Sequence, residues 1–210
     1  MRALIFLMSI FFIQISLSQE MQNILDSIAS PDGKLIAFIK PTKKIIPDRC
    51  FSTLNPDDAI EATADPDTGL STEPDQSENL KYANQIWIYN AKSKKEKLLV
   101  DVNFDCDKPE RQMVDPGQIK FSPDSKKLYF IATGWVTSGA LHVVNIDGTD
   151  EHYLIPANSY QFVKNGQYKG DLIVYQHRYR FKGDTPLGSY DWDWLFTPEG
   201  KEIKLYKKED

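Results

Sequence analysis

The chain has few of the residues that usually carry catalysis or bind metals. Its 210 residues include two cysteines and only three histidines, His142, His152 and His177. No cysteine or carboxylate stands at metal-ligand spacing around these histidines. The Gly-x-Ser-x-Gly motif of a hydrolase nucleophile elbow is missing as well. The sequence therefore predicts no metal, no cofactor and no catalytic residue, which indicates a protein that is not an enzyme.

Long hydrophobic runs are missing after the first residues. Met1-Arg2 precedes an apolar run from Ala3 to Ile13, and Ser16-Leu17-Ser18 offers small residues at the positions that signal peptidase reads. The run is shorter than the ~20 apolar residues that a membrane span needs. We therefore predict a signal peptide at 1–18, cleaved near Ser18. The mature domain, 19–210, is expected to be periplasmic or secreted, with no membrane span.

Positive charge is absent from one part of the chain. Lys and Arg number 25 against 30 Asp and Glu, a formal net charge of −5, but none of the cations lies between Cys50 and Leu80. The range 41–84 is rich in proline and acids and poor in apolar residues. This composition predicts a long acidic surface loop. A basic patch with interleaved aromatic residues is also missing, which argues against nucleic-acid binding.

The acidic loop suggests where a partner would bind. Uncompensated carboxylates attract a basic protein and speed the encounter. The tip Gly134–Gly139 between two strand-like runs is a second candidate surface, because loops held by a rigid frame often bind. The predicted partner-binding residues are Asp57, Asp58, Glu61, Asp65 and Trp135.

Cys50 and Cys106 are the two cysteines of an exported chain. An oxidising compartment favours a bond between them, and two free thiols are the alternative. Cys50 lies in the acidic loop and Cys106 in the irregular link 101–117. A Cys50–Cys106 disulfide would attach the loop to that link.

A turn that feeds an apolar run occurs twice in the chain. Ser30-Pro31-Asp32-Gly33-Lys34 precedes Leu35–Ile39, and Phe121-Ser122-Pro123-Asp124-Ser125-Lys126 precedes Leu128–Ala132. Pro fixes φ at the second turn position, and Gly supplies a positive φ before the strand. Ser125 replaces that Gly in the second copy, so the second turn is expected to be strained or different. A repeat of this kind decides the architecture.

The two units resemble the blades of TolB-type (PD40, WD40-like) β-propellers. The likeness covers about 24–156 and includes the strands Gln85–Asn90 and Leu141–Ile146. It implies an all-β fold with about three four-stranded blades, the third fitting the pattern more loosely. Closed propellers usually have about four to eight blades. The three blades would therefore form an open stack, or a homodimer would complete a six-bladed ring. A β-sandwich that is not a propeller is the third option.

The third unit contains two alternating segments. We predict a hairpin of 171–181 with 190–197, joined by a loop at 182–189. The predicted register places Arg180 opposite Asp191 and Tyr179 opposite Trp192. One face would then be aromatic and the other an Arg/Asp ladder, with the aromatic rings, Tyr179 included, buried against the second unit.

These observations lead to one main hypothesis on function and two alternatives. The main hypothesis is an exported, non-catalytic protein-interaction protein on a propeller scaffold, with an immunity-type inhibitor of a basic toxin as a specific version. The first alternative is a carbohydrate- or peptide-binding module that uses the aromatic face of the third unit. The second alternative is an unrecognised hydrolase.

Overall fold

The computed structural model describes residues 24–47, 50 and 82–208. These residues include twelve β-strands, and a short 3-10 helix lies at Pro109–Arg111. The strands make three four-stranded antiparallel sheets, each composed of four strands consecutive in sequence, which confirms the predicted all-β fold with three blades. The sheets are not closed into a ring. Completion of a ring by a second chain stays a prediction. No helix among the described residues is long and apolar enough to cross a bilayer.

Each blade is one sheet. Blade 1 contains β1 to β4, blade 2 contains β5 to β8, and blade 3 contains β9 to β12. In chain order the strands are β1 Asp26–Ala29, β2 Leu35–Ile45, β3 Tyr82–Asn90, β4 Lys95–Val100, β5 Gly117–Phe121, β6 Lys127–Trp135, β7 Ser138–Asn145, β8 His152–Ala157, β9 Ser159–Phe162, β10 Leu172–Lys182, β11 Thr185–Phe196 and β12 Glu202–Lys208.

The repeated turn has the same hydrogen bonds in blades 1 and 2. The Ser30 hydroxyl donates to Asp32 at 2.7 Å and accepts the Leu35 N–H at 3.0 Å. The second copy repeats this arrangement around Ser122. Ser125 has φ of 61° where Gly33 has 71°, so the serine occupies the left-handed region itself. The predicted strain is therefore present, while the form of the turn is preserved.

Successive strands of a blade run in opposite directions, so their connections alternate between two ends of the molecule. The Ser30 and Ser122 turns and the links after β3, β7 and β11 lie at one end, which we call the turn end. The connections β2–β3, β6–β7 and β10–β11 lie at the other, which we call the loop end. The link from β4 to β5 also starts and finishes there.

Two apolar clusters hold the blades together. Blade 1 packs on blade 2 through Ile86 and Phe130, which are fully buried. Blade 2 packs on blade 3 through Leu141, Leu172 and Val174, which are also fully buried. Burial of one such side chain stabilises the fold by about 1.5–3 kcal/mol. The alternation of apolar residues in the strands therefore supplies the blade contacts.

The two long strands of blade 1 continue past the expected start of the acidic loop. Ile45 of β2 pairs with Tyr82 of β3, so part of the range 41–84 is strand. Beyond this pair, Cys50 and Cys106 form a disulfide with a Cα–Cα distance of 4.9 Å. The bond is buried in a small cluster with Ile46 and Val114. It attaches the β2–β3 connection to the β4–β5 link.

Blade 3 contains the predicted hairpin but not the predicted register. Arg178 pairs with Tyr190 and Val174 with Trp194, a shift of three residues relative to the prediction. An odd shift exchanges the faces of a strand. The aromatic side chains of β11 therefore share a face with the arginines of β10, and the prediction of separate aromatic and Arg/Asp faces was wrong.

The observed register builds a cation–π ladder. The guanidinium of Arg178 lies 3.7 Å from the Trp194 ring centroid, and that of Arg180 lies 4.7 Å from the Tyr190 ring. Such contacts contribute about 0.5–2 kcal/mol each. Trp192 and Trp194 lie on one face and are half-buried, in part as predicted.

Two further details of the hairpin prediction were wrong. Tyr179 is 53% exposed, because the register places it on the face of β10 opposite to Val174, and its hydroxyl lies 3.5 Å from that of Thr137 at the β6–β7 tip. The loop expected at 182–189 is replaced by a two-residue turn, Gly183-Asp184, between the ends of β10 and β11. Pro186 is accommodated within β11, opposite Phe181 next to a β-bulge, where a missing N–H is tolerated.

Candidate functional site

A cavity of about 570 Å³ opens at the loop end between the β6–β7 tip and β5, the first strand of blade 2, whose side of the cavity we call the inner side. The tip contributes Trp135, Val136 and Thr137. The inner side contributes polar side chains from separate elements, which are Asp115, Gln118 and Asn158. The cavity combines apolar surface with amide and hydroxyl groups, as small-ligand and peptide sites commonly do.

The backbone of the inner side is strained. Asp115 has φ of 70° and Gln118 has φ of 49°, although neither residue is glycine. The left-handed region costs a non-glycine residue roughly 1–2 kcal/mol. The other positive-φ non-glycine residues are Lys94, Ser125 and Asp150, which lie in or beside turns at the turn end. Backbone strain that lines a cavity favours a functional role for the cavity.

Hydrogen bonds join the elements around the cavity. Gln118 donates its amide to the Asn158 carbonyl at 2.9 Å, and Asn158 donates to the Thr137 carbonyl at 3.0 Å. Asn84 donates to the Asp115 carboxylate at 2.6 Å. Because each bond crosses from one element to another, the walls of the cavity are fixed relative to one another.

The β6–β7 tip is rigid for two reasons. A Cβ added at Gly134 would lie 2.9 Å from the backbone nitrogen of Ala140, so only glycine allows this close approach of the two strands. The Trp135 ring packs edge-on against Tyr153 at 5.9 Å, yet the residue stays 38% exposed. The tip therefore presents the Trp135 indole at the cavity in a fixed orientation.

Just inside the loop end, blades 2 and 3 meet at a buried polar contact. Lys120 of β5 donates to the Tyr160 carbonyl at 2.6 Å and lies 4.4 Å from the Tyr160 ring. Burial lowers the pKa of Lys120 and raises the pKa of Tyr160 well above its usual value. The Tyr160 hydroxyl donates to the Gln118 carbonyl at 2.7 Å. Tyr160 therefore connects the Lys120 contact to the strained segment that contains Gln118.

The histidines lie elsewhere. His142 is fully buried in blade 2 and contacts Glu151 at 2.8 Å. His177 contacts Asp191 at 2.8 Å on the outward face of blade 3, and His152 lies at the turn end near Asp150. No histidine is among the described residues that line the cavity. Among those residues the structure contains no group of three or more His, Cys, Asp or Glu that could hold a metal ion.

The structure brings together only part of the predicted site. Trp135 is at the cavity, and its role in binding stays a prediction. Asp57, Asp58, Glu61 and Asp65 lie outside the described residues. The cavity residues Asp115, Gln118 and Asn158 were missed, because they come from three separate segments that carry no shared motif.

Known structures share this fold. Porphyromonas gingivalis dipeptidyl peptidase 4 has a TM-score of 0.51 at 10% identity and covers 87% of this chain. Pyrococcus horikoshii acylaminoacyl peptidase has a TM-score of 0.47 at 15% identity and covers 89%. The β-propeller domain of the Pyrococcus furiosus trilobed protease, which has an open velcro topology, has a TM-score of 0.40 at 12% identity and covers 88%.

These similar solved structures are peptidases. The chain spans only about a quarter of the length of the dipeptidyl peptidase and of the acylaminoacyl peptidase, and 57% of the trilobed-protease domain. No protein-family model matches the sequence, and a search of curated proteins finds no relative. At these identities the likeness establishes the propeller-type fold alone.

The comparisons correct the main functional hypothesis. A non-catalytic interaction protein, with the immunity-type inhibitor as its specific version, was expected, and this prediction was wrong. The solved structures named above are peptidases rather than interaction proteins. The Arg178 guanidinium lies against the Trp194 ring and covers part of the aromatic face, while binding of a carbohydrate or peptide by this face stays a prediction.

Proposed function

We propose that this chain is the propeller part of a peptide hydrolase and that it holds the peptide in the loop-end cavity. The observation that carries the proposal is the cavity itself, with its rigid Trp135 tip and the strained segment of Asp115 and Gln118. An extended peptide presents N–H and C=O groups at regular intervals, and the amide groups of Gln118 and Asn158 lie in the cavity wall to meet them.

The neighbours support the hydrolytic part of the proposal. Dipeptidyl peptidase 4 overlaps this chain over most of its length, while the chain corresponds to 24% of that enzyme. The described residues that line the cavity include no histidine. We therefore propose that the groups that carry out hydrolysis lie outside this cavity. In this role the propeller positions the peptide for hydrolysis.

Peptide binding is tested by NMR or calorimetry with the purified protein, 19–210. A blocked pentapeptide should bind in the high-micromolar to millimolar range and perturb the amide signals of Gln118, Thr137 and Asn158. Thr137→Trp fills the cavity from its exposed rim and should abolish binding. Ser93→Trp places the same side chain on the exposed β3–β4 turn and is the matched control.

Hydrolysis is followed on the same samples by mass spectrometry of the peptide. Binding with no cleavage is expected if the propeller only positions the substrate, and cleavage would establish a reaction centre within this chain. No binding of any peptide up to millimolar concentration would contradict the proposal.

We further infer that the protein is exported and that its repeats are of the TolB type. The buried Cys50–Cys106 disulfide supports export, because such bonds persist in oxidising compartments. The Ser30 and Ser122 turns, with their shared hydrogen bonds, support the repeat type. Intact mass of the protein from an expressing cell should correspond to a chain that starts at Gln19, and a chain that retains Met1 would contradict export by signal cleavage.

A further inference from the structure

Exposed apolar side chains concentrate at the loop end. Among the described residues, twelve large hydrophobic side chains are exposed. Most of them lie at this end rather than at the turn end or along the outer edge of the blades. Those at the loop end are Leu25, Ile45, Tyr82, Trp135, Val136, Tyr179, Phe181 and Leu187. Such side chains favour a binding role where they lie next to a cavity.

Two of these side chains line the cavity, and a third, from another blade, lies beside one of its lining residues. Trp135 and Val136 line it from the β6–β7 tip, with 38% and 55% of their surface exposed. Tyr179 comes from β10 of blade 3, and its hydroxyl lies 3.5 Å from the hydroxyl of Thr137, which also lines the cavity. Tyr179 therefore lies next to the rim residue Thr137, close to the apolar surface of the tip.

The rings of Trp135 and Tyr179 each pack against another ring. Trp135 packs against Tyr153, and Tyr179 packs edge-on against His177 at 5.0 Å. The Asp191 carboxylate holds His177 at 2.8 Å. Since neither ring has to be ordered when a ligand arrives, the entropy cost of binding is reduced.

The charge at the cavity selects among ligands. Asp115 is the one charged side chain among the described residues that line it, and its carboxylate already accepts a hydrogen bond from Asn84. A carboxylate entering the mouth would lose water without gaining a cation and would approach a like charge. An uncharged aromatic or branched aliphatic side chain loses nothing in the same place.

We propose that Trp135, Val136 and Tyr179 form an apolar clamp that grips an aromatic or branched aliphatic side chain of the bound peptide. The clamp rests on the proposed function, because that proposal places a peptide in this cavity. The clamp adds selectivity for one class of residue, while the amide groups of Gln118 and Asn158 meet the peptide backbone.

The test compares four blocked peptides, acetyl-Gly-Gly-Xaa-Gly-Gly-amide, with Xaa as Phe, Leu, Gly or Glu. Calorimetry or NMR titration of the purified protein should give Phe and Leu peptides that bind about tenfold tighter than the Gly peptide, as expected for partial burial of one such side chain. The Glu peptide should bind no more tightly than the Gly peptide.

Single substitutions test which residues produce the preference for the Phe peptide over the Gly peptide. Val136→Ser and Tyr179→Ser should each reduce the Phe-to-Gly ratio of affinities to about twofold or less. Ile203→Ser changes an equally apolar, 38% exposed side chain at the outer edge of blade 3 and should keep the wild-type ratio. Circular dichroism and thermal denaturation confirm that each variant is folded.

The outcomes separate the two proposals. Equal affinity for all four peptides, or a Phe preference that survives in Val136→Ser and Tyr179→Ser, overturns the clamp and leaves the peptide site intact. Absence of binding by every peptide overturns both. A third result also overturns the clamp: a neutral hexasaccharide binds although the peptides do not, and its binding is lost in Trp135→Ser. The site would then be a sugar site.

Discussion

Ser125 links blade 2 to blade 1, although the backbone conformation at its position in the turn is unfavourable for serine. Its φ of 61° would suit glycine, but its hydroxyl accepts a hydrogen bond at 3.2 Å from the Asp32 N–H in the neighbouring blade. A glycine would relieve the backbone strain and lose the hydrogen bond. The sequence shows the departure from the repeat at Ser125, whereas the partner 93 residues away becomes visible only when the blades are packed.

We expect Ser125→Ala to lower the free energy of unfolding by about 1 kcal/mol, the usual worth of one hydrogen bond. Ser125→Gly should be nearly neutral, because the lost bond is offset by relief of about 1 kcal/mol of backbone strain. Urea denaturation measures both values. If the glycine variant is as destabilised as the alanine variant, strain is not part of the balance.

Asp32 gives this end of the molecule a pH dependence. The Ser30 hydroxyl, followed by Lys34, lowers the pKa of Asp32 from its usual 3.8 to about 2. A carboxyl with a lowered pKa in the folded state stabilises the fold above its unfolded pKa, and this stabilisation is lost as the pH falls from about 4 to about 2. The melting-temperature advantage of wild type over Asp32→Asn should therefore be constant above pH 5 and shrink towards pH 2.

The matched comparison for Asp32 is Asp124→Asn in the second copy of the turn. The Ser122 hydroxyl likewise lowers the pKa of Asp124. Both variants should show the same loss of their difference from wild type at low pH. A difference that grows as the pH falls would contradict the assignment of a lowered pKa.

At the scale of elements, the β10–β11 hairpin shows what a strand pattern can and cannot predict. Alternation over both strands identified the pair, because period two is a property of each strand by itself. The register depends on which face meets its neighbour, and aromatic, arginine and aspartate side chains alternate in a way that fits either parity. Stacking of Arg178 on Trp194 and the packing of Val174 in the blade contact select the observed register.

The ladder gives a direct test of that register. Arg178→Lys should lower stability by about 1 kcal/mol, since an ammonium cannot stack on an indole as a planar guanidinium does. Arg180→Lys should cost less, because Arg180 is exposed. Chemical denaturation with tryptophan emission as the signal measures both. The predicted Arg/Asp pairing would require the opposite order or no effect on the indole environment.

At the scale of the whole molecule, the disulfide attaches the β2–β3 connection to the β4–β5 link at the loop end. Cys50 and Cys106 are 56 residues apart, and both are buried. In the chain-entropy model such a loop stabilises the fold by about 4 kcal/mol. Guanidinium denaturation with and without reductant should show a loss of about 3–4 kcal/mol. Alkylation of the unreduced, denatured protein should label no thiol, and two labels would contradict the bond.

The cavity was only partly predictable because it is a property of the assembled blades. The tip Gly134–Gly139 could be chosen from the sequence, since glycines at both ends of a short segment between two strand-like runs indicate a surface turn. Asp115 and Gln118 gave no signal, because a positive φ at a non-glycine residue has no sequence signature. Asn158 joins them only through the packing of blade 3 on blade 2.

The pairing of Ile45 with Tyr82 also makes the β2–β3 connection of blade 1 a suitable place to insert another domain. Paired residues of antiparallel strands have Cα atoms about 5 Å apart, so the chain leaves and re-enters the sheet at nearly one point. A guest domain whose own termini are close could be spliced between Cys50 and Tyr82 without separating β2 from β3. The propeller would then serve as a rigid carrier that displays its guest beside the cavity.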